Sequence, residues 1–375
     1  MRVLMLLTNP FRPDPRVHEE AKVLVEAGYD VTILCWNRGE NYPESEILDG
    51  IRVRRINIPS SYGTPGDFVK GIVKFYLASL NILKKEKFDI VHANDFDTLP
   101  LAIMLKKLHG WKVVYDAHDH YSSMIADVLP TLIPSIIFKL EKYLLKFTDA
   151  RIAASKAIAR ELDTLPFEIV LNAKNLKDYT LTQAKVQQFR AKINPEGKFL
   201  IVYIGILKLW TPLPQIIQAV KKLPEVKLIV GGKGPHENEI IGMIKDAKNI
   251  EYVGWVNKKY IPLYTLASDL VVLPSNSAKL YTRVAVANKI MEGLAAGKPL
   301  IAGTNTEGGK IVRECNAGLL CDYGDVGCLV NSINKLMKDK ELYKKYAKNA
   351  RVCAEKKYNW NIMSDRLIRL YKSLK

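Results

Sequence analysis

Asn288, Lys289 and Glu292 stand at the spacing of neighbours on a helix. Residues three and four apart share a face, so an amide, an ammonium and a carboxylate are brought close together. The helix is expected to begin beyond the polar loop that follows the apolar run Val271–Leu273, and Gly297 with Pro299 stops it before the next apolar run. Its leading amides and dipole offer a seat for a diphosphate. The Glu292 carboxylate can accept two hydroxyl hydrogen bonds, the pattern a ribose diol needs. A second candidate is His118, at the carboxyl end of the candidate strand Lys112–Asp116, where a neutral imidazole can hydrogen-bond a sugar hydroxyl. Gly232 and Gly234 supply a tight turn after the run Val226–Val230. Arg16 lies at the start of the first helix, behind the loop Asn9–Arg16, which three prolines stiffen. There it could meet an acceptor phosphate, or pair with Asp14 or Glu20.

The elements that must position these residues alternate along the chain. Strand candidates in the first half are Arg2–Leu7, Asp30–Trp36, Ile51–Ile58, Asp89–Ala93, Lys112–Asp116, Arg151–Ala154 and Glu168–Leu171. A second series follows at Phe199–Ile204, Val226–Val230, Ile250–Val253, Leu270–Leu273, Pro299–Ala302 and Leu319–Cys321. Most are continuous apolar runs separated by helical-period segments, the pattern of parallel strands covered by helices on both faces. With 375 residues, at roughly 100 to 200 per domain, two doubly wound domains are expected. The domains are read as 1–172 and 198–357, with an unpatterned linker at 173–197 and a final helix, 360–375, packing back on the first domain. Ligands of such sheets bind beyond the carboxyl ends of the strands, so the site is expected in a central cleft that the domains face.

Composition narrows the classes further. Apolar residues at 48% and charged residues at 25% describe an ordinary globular chain, not a disordered or fibrous one. No apolar stretch approaches the roughly 18 residues that span a bilayer, and the N-terminus lacks a signal h-region, so a cytoplasmic location is expected. Five cysteines, none in a Cys-x-x-Cys pair, make a disulfide framework and a zinc site improbable on sequence alone. The net charge is +17, and the second half carries most of it, with 29 basic against 16 acidic residues in 196–375. That field suits an anionic partner: a nucleotide diphosphate or an acidic membrane. Nucleic acid is not expected, since basic and aromatic residues do not interleave.

Asn288-Lys289-x-x-Glu292-x-Leu294-Ala295-x-Gly297-Lys298-Pro299 resembles the donor-site helix of family 4 glycosyltransferases. Further segments match in order and spacing. They are Asp14-Pro15-Arg16-Val17 with Glu20-Ala21, Gly28 to Thr32, His92-Ala93-Asn94-Asp95, Tyr115 to Asp119, Val170 to Ala173, Tyr203-Ile204-Gly205, Gly232 to Pro235 and Val253 to Val256. The resemblance implies the GT-B fold, in which two Rossmann-like domains face a central cleft. It also implies retaining transfer of a hexose-type sugar from a nucleotide-diphosphate sugar to an acceptor hydroxyl of a glycan or lipid-linked acceptor. The sequence offers no metal-ligand cluster, so no metal and no cofactor are expected.

Carried over residue by residue, Glu292 would hold the donor ribose and His118 would line the donor-sugar pocket, and these two are the catalytic candidates. Gly205, Lys208, Gly232, Gly234, Arg283, Asn288 and Lys289 complete the donor side, while Arg16, Asp95 and Asp119 are assigned to the acceptor side. Three departures stand out. The family's first carboxylate of a Glu-x7-Glu pair is Val284 here. Its arginine after the strand-ending glycine is Ile206, and its following lysine falls near Thr211 or Pro212. Lys208, Arg283 and Lys289 are the substitutes available to balance phosphate charge. A nucleotide-sugar epimerase of the same fold, or a non-catalytic nucleotide- or glycan-binding protein, are the alternative readings.

One apolar stripe remains: Ile133, Ile137, Leu140, Leu144 and Phe147, beside Lys139, Lys142 and Lys146. The expectation is a face turned to the core, with an interfacial helix gripping anionic lipid as the alternative.

Overall fold

Every strand candidate of the sequence forms a strand, with ends shifted by a residue or two. The structure is a computed structural model, and it describes all residues except 13, 61–64, 128, 131, 163 and 164. Pro13, one of the three prolines of the loop before Arg16, therefore lies outside the described residues. Two units emerge: Met1–Leu171 with Met363–Lys375, and Asn172–Ile362.

The first unit contains β1 (Arg2–Leu7), β2 (Asp30–Asn37), β3 (Ser45–Leu48), β4 (Ile51–Asn57), β5 (Ile90–Asn94), β6 (Lys112–Ala117), β7 (Ala150–Ala153) and β8 (Glu168–Ile169). They form one sheet in the order β3-β4-β2-β1-β5-β6-β7-β8. All neighbours are parallel except β3 and β4. β3 alternates exposed and half-buried residues at the sheet edge, so it lacks the continuous apolar run of a covered strand and is not among the strand candidates. The central strands β1, β5 and β6 are buried almost throughout. Their carboxyl ends therefore carry the polar residues Asn94 and Asp116 on a rigid base.

The second unit contains β9 (Phe199–Ile204), β10 (Val226–Gly231), β11 (Ile250–Tyr252), β12 (Val271–Leu273), β13 (Leu300–Gly303) and β14 (Gly318–Cys321). Two parallel three-stranded ladders, β11-β10-β9 and β12-β13-β14, meet through a parallel bridge between Ile201 and Leu270. The chain thus repeats a Rossmann-like sheet.

Three expectations change. Residues 173–197 are an ordered part of the second unit, with a 3-10 turn at Leu176–Tyr179 and a helix at Gln183–Ile193. Arg190 of that helix pairs with Asp269 at 2.7 Å, which anchors it beside β9. Four cysteines form disulfides: Cys315–Cys353 and Cys321–Cys328, with Cα atoms 5.7 and 5.8 Å apart. Tertiary packing brings together helix ends distant in sequence, and β14 runs into the Val326–Lys338 helix within a bridgeable span. Finally, the apolar stripe at 133–147 is turned to the core only in part, with Ile137 and Leu144 half-buried. The Leu132–Leu144 helix buries Pro134 and Glu141, and Glu141 accepts a hydrogen bond from the Tyr115 hydroxyl of β6, while Ile133, Leu140 and Phe147 are exposed.

The last helix, Trp360–Lys372, passes from one unit to the other. Met363, Leu367, Tyr371 and Leu374 are buried in the first unit.

Candidate functional site

In the second unit the site is built on the helix Asn288–Ala295. Ala287 precedes it in extended conformation and no side chain caps it; its carbonyl accepts from the Ile290 N–H at 3.0 Å, which leaves the amides of Asn288 and Lys289 to face a ligand. A pocket lined by Leu273, Ser275, Thr282, Ala287, Ile290 and Thr306 opens at that end. The face pattern expected of Asn288, Lys289 and Glu292 is present, and a residue that sequence reasoning missed joins it. The Lys174 ammonium donates to Asn288 Oδ1 at 2.7 Å and stands 3.9 Å from Glu292 Oε1. Its one sequence signal is its place directly after Asn172-Ala173, a segment matched for other reasons.

Lys289 turns to β9. Its ammonium lies 4.3 Å from the centre of the Tyr203 ring, and it occupies the space that Gly205 leaves by lacking a side chain. Gly232 and Gly234 pack against the same loop: a Cβ on Gly232, whose φ is +128°, would stand 1.9 Å from the Gly205 carbonyl oxygen, and one on Gly234 2.2 Å from that of Leu207. These two glycines allow two loops to approach, a structural need beside any ligand contact. Lys208 places its ammonium over the Trp210 ring at 5.4 Å. Arg283 is exposed on the short helix Leu280–Val284, and Val284, in the position of the missing carboxylate, is buried.

In the first unit the carboxyl ends of β5 and β6 assemble a charged cluster. Asp95 adopts φ 60°, which Asp tolerates, and its Oδ1 accepts from the backbone N–H groups of His118 (2.9 Å) and Asp119 (3.4 Å). The His118 ring lies between two carboxylates, with Nε2 3.0 Å from Asp116 Oδ2 and Nδ1 3.5 Å from Asp95 Oδ2. Burial disfavours its cation, but Asp95 and Asp116 outweigh burial and push its pKa up to about 10. His118 is therefore an imidazolium at neutral pH, not the neutral imidazole expected from sequence. Burial likewise opposes the Asp116 carboxylate, yet Arg16 and His118 hold its pKa well below the usual range.

Arg16 is a second correction. It is buried, gives two N–H groups to Asp116 (2.8 and 3.2 Å) and a third to the Val170 carbonyl, and pairs with Glu20 at 3.0 Å. An acceptor phosphate cannot compete for a guanidinium so engaged, so the pairing with Glu20 wins over the acceptor contact. Burial raises Glu20 to about 8 against the pull of Arg16. His92, below the cluster, contacts the Tyr371 hydroxyl at 2.6 Å through Nδ1, and burial lowers its pKa. Glu20, Asp116 and His118 bring ligand atoms within 4.8 Å of one another, but the charge that a metal would supply there already comes from Arg16 and His118. Asp119 is exposed and available to a ligand.

Comparison with known proteins covers both units in turn. The family description Glycosyltransferase Family 4 matches residues 16–170, and Glycosyl transferases group 1 matches residues 185–352. Among curated relatives, the alpha-D-kanosaminyltransferase of Streptomyces kanamyceticus is 21% identical over 349 residues, 86% of this chain and 88% of its own. A glycogen synthase of Mycobacterium tuberculosis is also 21% identical, across 96% of this chain and 90% of its own. Sucrose-phosphate synthase from Thermosynechococcus elongatus superposes with a TM-score of 0.84 at 18% identity, covering 100% of this chain and 99% of its own. Anabaena HepE, solved in complex with UDP and glucose, gives 0.78 at 17% identity, with both chains fully covered. The chain belongs to the family 4 glycosyltransferases and is a transferase of the GT-B fold.

Proposed function

We propose that the chain transfers a hexose-type sugar, with retention of configuration and without a metal ion, from a nucleotide-diphosphate sugar to a hydroxyl of a glycan or lipid-linked acceptor. The observation that carries this is Glu292, one turn into a helix whose leading end is uncapped and borders a pocket. In this reading the Glu292 carboxylate accepts the two ribose hydroxyls and the helix amides face the diphosphate. On the first unit, the His118 imidazolium keeps Nε2–H on Asp116 and turns its loosely held Nδ1–H, 3.5 Å from Asp95, to a sugar hydroxyl, while Asp95 fixes its backbone. Asp119 faces the acceptor. As the anomeric carbon–oxygen bond breaks, its electron pair goes to the phosphate oxygen. The acceptor oxygen bonds to the anomeric carbon from the same face, and its proton passes to that phosphate oxygen. No protein carboxylate is asked to act as nucleophile, consistent with Val284 at the position of the family's first glutamate.

Supporting the donor class, HepE was solved with UDP and glucose, and UDP-sugars are the first candidates to test. Calorimetric titration of UDP, GDP and ADP identifies the nucleotide. Glu292→Ala should then weaken its binding by about 10- to 100-fold, the worth of hydrogen bonds to a charged group. Unchanged affinity removes the assignment.

We also infer a peripheral contact with an anionic membrane. Among the described residues no helix is long and apolar enough to cross one. Yet Leu132, Ile136, Leu140 and Tyr143 stand exposed along the Leu132–Leu144 helix, with Lys139 exposed among them and the Lys142 and Lys146 ammoniums over the rings of Phe138 and Tyr143. Apolar anchors rimmed by lysines suit a lipid surface that presents the acceptor.

A further inference from the structure

We propose that Lys289 and Lys174 together carry the positive charge required by the departing diphosphate, in place of the arginine and lysine that the family places after β9. This rests on the reading of the Asn288–Ala295 helix as the nucleotide seat. The loop after β9 cannot supply that charge from its usual positions. Ile206 stands at the arginine position and is 59% exposed, and Thr211 spends its hydroxyl on the Lys208 carbonyl. The Lys208 ammonium lies over Trp210, within its own loop.

Two lysines from elsewhere converge on the helix instead. Lys289, in its first turn, reaches back over the Tyr203 ring and fills the space beside Gly205, where a Cβ would stand 2.6 Å from its ammonium. Thus a cation from the helix stands at the end of β9, next to the position where the family's arginine begins. Lys174 reaches the other flank of the same turn, held by Asn288 at 2.7 Å and near Glu292 at 3.9 Å. Both side chains are part-shielded from water, which strengthens their attraction for an anion relative to a solvated lysine. The lost pair and the gained pair are equal in charge. When the glycosidic bond breaks and the electron pair stays on the phosphate oxygen, the new charge meets two ammoniums and the helix amides, and it is finally neutralised by the acceptor proton.

Inorganic pyrophosphate is the probe, titrated by calorimetry into the full chain at fixed ionic strength. Lys289→Ala and Lys174→Ala should each lose about 10-fold in affinity, the scale of one charge-assisted hydrogen bond, whereas the exposed control Lys344→Ala should not. Lys289→Arg, which keeps the charge, should retain most of the binding. With a nucleotide sugar, the alanine variants should lower kcat more than they raise KM, because the charge develops during bond breaking. Melting temperatures check folding, and Lys289→Gln and Lys174→Gln repeat the measurement where an alanine variant folds poorly. Unchanged pyrophosphate affinity in both positions overturns the proposal. So does a loss confined to Lys208→Ala or Arg283→Ala. Nucleoside-diphosphate binding that needs Glu292 but neither lysine refutes the lysine assignment alone. Pyrophosphate binding that needs both lysines, in a chain that binds no nucleoside diphosphate, refutes the nucleotide seat and upholds the lysines.

Discussion

His118 sits between Asp95 and Asp116, and acid–base titration of the folded protein will report that position. Its pKa in the fold, about 10, exceeds the ordinary 6.5 of an exposed imidazole. Folding therefore gains from the cation fully below about pH 6.5, and this gain fades as pH rises toward 10. Glu20 acts over a lower window: raised from 4.5 to about 8, it favours the folded state while protonated and loses that advantage as pH climbs between those values. Melting temperature should thus decline from near neutrality toward pH 10, and His118→Asn should flatten that decline. An identical slope in wild type and variant would show that the imidazolium is not held as described. The placement of Glu292 on a helix and of His118 just beyond a strand end was legible in sequence. The charge on His118 was not, because it depends on Asp95, which is 23 residues away in sequence and is brought beside it by the parallel pairing of β5 with β6.

At the scale of elements, the Leu132–Leu144 helix shows how a stripe can be read correctly as helical and still be only partly buried. Periodicity says that apolar residues share a face, but not where that face points. Here a buried carboxyl, Glu141, takes a place on the inward face by binding Tyr115, while Ile133, Leu140 and Phe147 stay exposed and Ile137 and Leu144 are half-buried. Ile136, 62% exposed, is a clean position for a test because its loss removes little packing. Ile136→Asp should leave the melting temperature unchanged and reduce co-sedimentation with vesicles containing anionic phospholipid by about 10-fold, from lost apolar insertion and added negative charge. A wild-type chain that ignores such vesicles at low salt would end the membrane reading. The segment 173–197 teaches a related lesson. It lacks strand pattern because it contributes a helix, anchored by Arg190 to Asp269, and its first residues deliver Lys174 to Glu292.

For the whole molecule, the first unit is completed by the last residues of the chain. Leu367 and Tyr371 are wholly buried, and the Tyr371 hydroxyl partners His92 Nδ1 beneath the charged cluster. Leu367→Ala should cost about 2–5 kcal/mol, as for large-to-small changes in other cores, and Tyr371→Phe about 1–3 kcal/mol by leaving His92 unpaired. Thermal unfolding measures both, and a negligible effect would mean that the final helix is not part of that core. The sequence by itself determined every strand but the edge strand β3, the two repeated α/β units and the helix that carries Glu292. Those follow from local periodicity and from short-range stops such as Gly297 and Pro299. Only the tertiary structure decided that Arg16 is spent on Asp116, that four cysteines pair, that Lys174 meets Glu292 and that Tyr371 reaches His92. Each of these joins residues far apart in the chain, and residue type alone does not reveal which distant partner the sheet order will bring into contact.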